Sequence, residues 1–331
     1  MNVISLFNGM GTLRQAFADM NIKVDKYYSS EIKPYAIELQ QHHFPDVIQV
    51  GDINNWKEWD IDWETIDFIG SGSPCQDLSA AGKRAGINGS RSSLFFIFVE
   101  ILEHVKSLNP NVKFLQENVG SAPKLDVGIM SRALGVYPVR INSSLVTAQL
   151  RDRYYWSNIR VKQDGMFGDI VTDIPHPKDR KIMFKDIITD GQVKKNKSQC
   201  IGERYVFNKL KDESEENGQK YLKKRIATVG SCPVVYYSCA SRGRYVDGKT
   251  QQQIEINKTG KANCLTTVSK DSMVFEPNTK LRTLNKIEMC RLQGFPDNYC
   301  DILTVYKAGS LLGDGWTLPI IIHILSFMKY E

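Results

Sequence analysis

Short apolar runs alternate with helix-spaced apolar positions over the first half of the chain, and the alternation stops near residue 171. Val3–Phe7 is an apolar run that ends in Asn8-Gly9-Met10-Gly11. Thr12–Met20 then places Leu13, Phe17 and Met20 on one helical face. Val24–Ser29, Val47–Val50, Ile66–Ile69 and Val112–Leu115 read as further strands, and Val139–Asn142 and Tyr154–Ser157 as two more. Between them, Pro34–His43 suits a helix with proline in its first turn. Ser92–Val105 reads as a buried helix with a serine available as N-cap. Strands separated by helices in this order predict an α/β fold with a doubly wound, mostly parallel sheet.

Beyond residue 171 the rhythm changes. Prolines cluster at Pro175 and Pro177, a charged stretch covers Lys209–Arg225, and short β-like pieces follow at Val234–Ser238 and Ala262–Val268. Helical spacing returns at Asn285–Leu292 and Thr317–Phe327. The pattern divides the chain into a first domain over 1–171, a smaller, irregular, β-rich domain over 172–281, and a segment over 282–331 that returns to the first.

Composition narrows the class. A hydrophobic content of 42% and a charged content of 24% are ordinary for a globular protein. No apolar run is long enough for a bilayer, and the first residues lack a basic leader and a cleavage site. Neither a membrane protein nor a secreted one is expected. The seven cysteines (Cys75, Cys200, Cys232, Cys239, Cys264, Cys290, Cys300) form no C-x-x-C pair, and the chain has five histidines. No metal site and no disulfide framework are therefore expected, and a reducing cytoplasm fits. Net charge is +6, unevenly spread: residues 172–281 hold 21 Lys+Arg against 13 Asp+Glu, the remainder 22 against 24. Such a surplus suits a polyanion-binding surface or a solvated lysine-rich face.

Candidate chemistry sits at the predicted strand ends, where open α/β sheets place their ligands. Gly72-Ser73-Pro74-Cys75 follows one strand and puts a thiol at the sheet edge. Cys75 there fits either a nucleophile or a small buried apolar residue. Phe7-Asn8-Gly9-Met10-Gly11 is a glycine-rich strand-to-helix turn without the third glycine of a dinucleotide fingerprint. Glu31 and Asp52 end the next two strands, placed to accept from ribose hydroxyls and an exocyclic amine; together with the glycine turn they suit an adenosine-bearing ligand. Glu117 closes another strand, as an acid able to share a proton with a base or as a loop-stabilising carboxylate. Arg151 and Arg153 lie two residues apart before the last strand, so they point the same way. His104 and His323 fall inside helix-like runs, which leaves a cysteine hydrolase without its base.

In their order and spacing, Phe7-Asn8-Gly9-Met10-Gly11, Glu31, Asp52, Ser73-Pro74-Cys75, Glu117-Asn118-Val119 and Gln149-x-Arg151-x-Arg153 resemble the cytosine-5 DNA methyltransferases. Arg282-Thr283-Leu284 through Gly294-Phe295-Pro296, and Leu312-Gly313-Asp314-Gly315-Trp316-Thr317, resemble the family's last two motifs. The likeness covers 1–160 and 280–328, and is strongest toward the animal de novo branch and its phage and bacterial relatives. At Asp314-Gly315 many members carry Asn followed by a small residue, a departure that bears on a cofactor-side contact.

The resemblance implies a Rossmann-like fold that uses S-adenosyl-L-methionine and releases S-adenosyl-L-homocysteine. It implies catalysis by Cys75, Glu117, Arg151 and Arg153: Cys75 adding to carbon 6 of a flipped-out cytosine, Glu117 protonating or hydrogen-bonding ring nitrogen 3, Arg153 holding the carbonyl oxygen and Arg151 the nearby backbone or loop. Carried over, the cofactor positions are Phe7, Gly9, Gly11, Thr12, Glu31, Ile32, Asp52, Ile53, Pro74, Leu94, Asp314 and Trp316. The DNA positions are Gln76, Ser79, Arg84, Arg91, Gln149, Arg242, Arg244 and Thr266. Residues 76–91 would form a lid over the flipped base. Residues 172–281 would be the target-recognition domain, with Lys194-Lys195-Asn196-Lys197 and Lys223-Lys224-Arg225 on phosphates. Double-stranded DNA is the expected partner, a cognate restriction endonuclease a candidate one, and a monomer the expected state. A tRNA cytosine-5 methyltransferase and a non-catalytic DNA-binding relative are the alternatives.

Overall fold

The computed structural model describes residues 1–74, 93–166, 168–189, 236–246, 249–257, 259–268, 271–275 and 282–329. Its main sheet contains β1 (Asn2–Leu6), β2 (Lys26–Ser30), β3 (Val47–Gln49), β4 (Ile66–Ser71), β5 (Lys113–Val119), β6 (Val139–Asn142) and β7 (Asp152–Ser157), in the order β3-β2-β1-β4-β5-β7-β6. The first five in that order pair in parallel, and β7 runs antiparallel to both neighbours. The order reverses between β1 and β4, so the strand ends there open a crevice.

Successive core residues point to opposite faces, as a pleated strand requires. Val3, Tyr27, Phe68, Leu115 and Tyr155 belong to one apolar cluster, and Ile4, Tyr28, Ile69, Phe114 and Trp156 to the other. The first face is covered by α1 (Thr12–Asp19) and α2 (Pro34–His43), the second by α3 (Ser93–Leu108) and α4 (Lys124–Leu134). This is the expected doubly wound arrangement, with helices on both faces.

β5 extends past Leu115, where the apolar run ends, because β7 pairs with its polar half: Glu117 with Tyr155 and Val119 with Arg153. Cross-strand pairing overrides the side-chain pattern there. The expected strand over Ala262–Val268 is instead an extended segment with one bridge, Ala262 to Gln149. The other β-like piece begins outside the described residues and becomes β10 (Tyr237–Val246), paired with β11 (Lys249–Ile256), β12 (Met273–Phe275) and, through β12, β13 (Arg282–Thr283) in a second sheet. A separate hairpin pairs β8 (Val161–Asp164), exposed throughout, with β9 (Asp169–Thr172), whose Ile170 and Val171 are half-buried.

The C-terminal helices α5 (Lys286–Gln293), α6 (Val305–Asp314) and α7 (Leu318–Leu325) join the cluster that contains β1 and α1. Residues 305–325 are apolar enough for a membrane span by composition, but the stretch is two helices broken at Gly315–Thr317 and mostly buried. Asn285 starts α5 with a capping box: its side chain accepts from Glu288 N–H, and Glu288 accepts from Asn285 N–H. Glu288 is fully buried and forms a two-pronged ion pair with Arg282, Nη1 to Oε2 at 2.7 Å and Nη2 to Oε1 at 2.8 Å.

Burial pushes the Glu288 carboxyl up. The Arg282 guanidinium and the Asn285 and Thr189 N–H groups outweigh burial and hold it below the usual carboxylate range. A carboxyl with a depressed folded pKa contributes stability above its unfolded value of about 4.3, and that contribution is lost as pH falls through the folded value. Glu288→Ala is expected to cost about 3–5 kcal/mol at neutral pH, because it removes the buried carboxylate that Arg282 and the α5 cap share. In chemical denaturation from pH 7 downward, wild type should lose more stability on acidification than Glu288→Gln; parallel acid limbs would refute the pairing.

Candidate active site

The chain leaves β1 through Phe7 and Gly9, both in the left-handed region at φ 55° and 56°. Asn8 fastens this turn from beneath. Its Oδ1 accepts from Ser5 Oγ at 2.7 Å and Tyr27 Oη at 3.0 Å, and its Nδ2 donates to Ser29 Oγ at 3.0 Å. Two distant side chains hold the turn's carbonyls: Gln40 Nε2 donates to Gly9 O at 2.6 Å and Tyr299 Oη to Met10 O at 2.8 Å. Gly11 caps α1 at φ 82°. The Glu31 carboxylate accepts Gly9 N–H at 2.7 Å, Ile32 N–H at 2.8 Å and Lys33 N–H at 2.9 Å. A carboxylate has about four acceptor sites, so one remains for a ligand hydroxyl. Asp52 caps the following turn through Oδ1, to Asn54 N–H at 2.9 Å.

These residues open onto a cavity of about 550 Å³. Its lining includes Phe7, Gly9, Thr12, Glu31, Ile32, Asp52, Ile53, Pro74, Leu94, Asp314 and Trp316, the expected cofactor positions apart from Gly11. Gly11 instead packs toward Gln40 and Tyr299. At the rim, Lys33 Nζ bridges to Asp314 Oδ2 at 2.8 Å. Asp314, where the sequence departs from the family pattern, thus ties the α2 entrance to the C-terminal helices.

Glu117, Arg151 and Arg153 line the same cavity. Glu117 is nearly buried and held from two sides. Arg153 Nε approaches Oε1 at 2.7 Å, and Trp316 Nε1 donates to Oε2 at 3.1 Å. Pairing across β5 and β7 brings the acid and Arg153 together. The Trp316 indole lies against bare backbone: a Cβ on Gly72 would fall 2.7 Å from its Nε1. On the other side of β4, Ser73 Oγ accepts from Gln116 Nε2 at 2.9 Å and Asn118 Nδ2 at 3.4 Å. Pro74 lines the cavity, and Cys75, its neighbour in sequence, lies outside the described residues.

The resemblance gives Arg151 the nearby backbone or loop, and it is backbone that Arg151 binds. Its guanidinium is almost fully buried and donates to Gly313 O at 3.0 Å, Leu265 O at 3.3 Å and Gly315 O at 2.8 Å. It joins three chain segments and positions the loop that carries Trp316. Cys264 Sγ lies 3.2 Å from Arg151 Nη1 and 3.9 Å from Arg153 Nη2, so the two arginines do share a face. Burial pushes the Cys264 thiol up, but the Arg151 and Arg153 guanidiniums outweigh burial and hold it below its ordinary value.

Gln149 requires a correction as a DNA-contacting residue. It is completely buried, donates to Leu292 O at 2.7 Å and Gln293 Oε1 at 2.8 Å, and accepts from Leu265 N–H. Gln293, missed in the sequence, also accepts from Thr317 Oγ1 at 2.9 Å and donates to Leu312 O and Gly315 O. Its partners lie far away in the chain, so no local motif marks it. Thr266 is half-buried with its hydroxyl on Asp271 at 3.0 Å. Arg242 and Arg244 are about half exposed on β10 and share Glu255. Gln76, Ser79, Arg84 and Arg91, and both lysine clusters, lie outside the described residues.

The chain is 26% identical to the type II methyltransferase M1.ScrFI of Lactococcus lactis subsp. cremoris, over 96% of this chain and 75% of that one. It is 25% identical to M.NlaX of Neisseria lactamica, over 99% and 96%. Its fold is similar to the Entamoeba histolytica methyltransferase EhMeth (TM-score 0.57, 16% identity, 99% and 97% coverage) and to a Spodoptera frugiperda DNMT2 mutant (TM-score 0.52, 16% identity, 99% of each chain). The C-5 cytosine-specific DNA methylase family matches residues 1–325. With that match over nearly its whole length, the chain belongs to the C-5 cytosine-specific DNA methylases, whose cofactor is S-adenosyl-L-methionine.

Proposed function

We propose that this protein methylates carbon 5 of cytosine in duplex DNA. The observation that carries the reading is that Glu117, gripped by Arg153 and Trp316, shares one cavity with the Gly9–Glu31–Asp52 edge. The residues fit S-adenosyl-L-methionine. Glu31 retains acceptor capacity for ribose hydroxyls, Asp52 suits an amine, and Phe7, Ile53, Leu94 and Trp316 offer apolar walls to a purine. When bound, the cofactor supplies an electrophilic methyl group.

The chain's own task is to make a poorly nucleophilic carbon attack. Cys75, as thiolate, adds to carbon 6 of the ring and turns carbon 5 into an enamine carbon. Glu117, having taken up a proton from solvent, hydrogen-bonds ring nitrogen 3 and passes that proton to it, relieving the charge that builds there, and takes the proton back when Cys75 leaves. Arg153 holds the ring carbonyl oxygen, and Arg151 keeps the Trp316 loop in register behind Glu117. Loss of the carbon-5 proton to water lets Cys75 leave. The target base must first leave the stack, at about a few kcal/mol. Duplex DNA is favoured over tRNA by the type II relatives and by the basic surplus of 172–281. The cytoplasm is the proposed compartment, and a monomer the proposed state.

Labelled methyl transfer should appear in the cytosines of duplex DNA and be absent from tRNA; the reverse would move the protein to the RNA-acting branch. Glu117→Gln should lower single-turnover methyl transfer about 10²–10⁴-fold, the range for a lost general acid. Trp316→Phe removes the N–H that Glu117 accepts, so the single-turnover rate at saturating cofactor should fall about tenfold to a hundredfold. An unchanged rate in either variant would remove that residue from the mechanism.

A further inference from the structure

The ladder between β4 and β5 stops at the pair Ser71–Gln116. Beyond it β5 continues to Val119 against β7, whereas β4 gives way to Gly72-Ser73-Pro74. Pro74 has no N–H and so cannot extend the ladder. The strand end that leads to Cys75 and the strand that carries Glu117 therefore part where their spacing matters most. Side chains take over at that point. Gln116 Nε2 donates to Ser73 Oγ at 2.9 Å and to Glu117 O at 2.8 Å, so one amide grips both strands. Asn118 Nδ2 adds a longer bond to Ser73 Oγ at 3.4 Å and fills the hydroxyl's second acceptor site.

The orientation of the amide follows from its partners. Glu117 O can only accept, so the nitrogen must face it and Oε1 turns away. Gln116 is completely buried, and among the described residues its Oε1 meets no donor. Ser71 Oγ, its cross-strand neighbour on the same face, is also without a partner there. Ile69 and Phe114, one alternation earlier on the two strands, belong to the apolar core. An apolar side chain at 116 would continue that face without an orphaned acceptor. A buried acceptor lacking a donor is costly, so its presence needs a reason, and the amide's two donors supply one. Resting on the methyl-transfer mechanism above, we propose that Gln116 is a positioning residue: through Ser73 it holds the nucleophile's strand end in register with the acid. Gln116 does not line the cavity, so it acts on neither cofactor nor base directly. It acts on geometry, where a displacement of about 1 Å costs about a hundredfold in rate.

The test is single-turnover methyl transfer to duplex DNA at saturating cofactor and DNA, for wild type, Gln116→Met, Ser73→Ala and the double variant. Methionine is close to glutamine in length but has no N–H. Each single variant should slow the step about tenfold to a hundredfold, while the dissociation constants for cofactor and DNA stay as in wild type. The double variant should be no slower than the slower single one, because both changes remove the same link. A wild-type rate in either single variant overturns the proposal. So do losses that multiply in the double variant, or a slower rate matched by an equal loss of cofactor affinity, which marks a general loosening of the site. Should Gln116→Met not fold, Ser73→Ala leaves the buried amide in place and decides the matter by its own rate and affinities. If wild type transfers methyl groups and the variants match it, the positioning role fails alone; if wild type transfers none, the mechanism fails and the role with it.

Discussion

The rest of the site depends on one buried guanidinium that, among the described residues, pairs with no carboxylate. Arg151 lies inside the protein, where an uncompensated charge is costly. Its compensation comes from the carbonyls of Gly313 and Gly315 at the end of α6, the negative pole of the helix, and from Leu265 and the neighbouring Cys264. The arrangement ties β7, the 262–266 segment and the α6–α7 loop together at one point. Through that loop it determines where the Trp316 indole meets Glu117. The fully buried Gln149–Gln293 pair braces the same loop from the other side. A polar network this deep works only when complete, which is why each member is bonded to backbone or to another member.

In the proposed reading a single cavity holds cofactor and base together. The cofactor edge uses backbone turns fixed by Asn8, Gln40 and Tyr299; the catalytic edge uses side chains fixed by β5–β7 pairing. Trp316 lies on the boundary, lining the cofactor side and donating to the acid on the other. That shared wall is a physical reason for a cofactor and a base to be aligned by the same element.

Much of this was legible in the sequence. Pro34–His43 appears as α2 with the boundaries that proline and spacing imply, and Glu31 and Asp52 do end successive strands. The expected cofactor positions converge because strand ends in a parallel sheet share one edge. Other features were hidden because their partners are distant in the chain. Which loop Arg151 holds is settled only when Gly313 and Gly315 are placed beside it, and Gln149 resembles a surface residue until Gln293 meets it. The β10–β11 ribbon is hard to see because its exposed half is polar on both faces, Gln251-Gln252-Gln253 included, and only its root carries an apolar signal. α4 was overlooked although Val127, Met130 and Leu134 have helical spacing, because the intervening polar residues dilute it.

The central claim is that Pro74–Cys75, Glu117 and the cofactor edge act on one extruded cytosine. Duplex DNA carrying 5-fluorocytosine tests it, since fluorine at carbon 5 blocks the proton loss needed to release the enzyme. After incubation with cofactor, the protein–DNA adduct is digested and the modified peptide sequenced by mass spectrometry. The account predicts an adduct on Cys75. No adduct while cofactor is bound, or an adduct on Cys264, the thiol that Arg151 and Arg153 hold low, would contradict it.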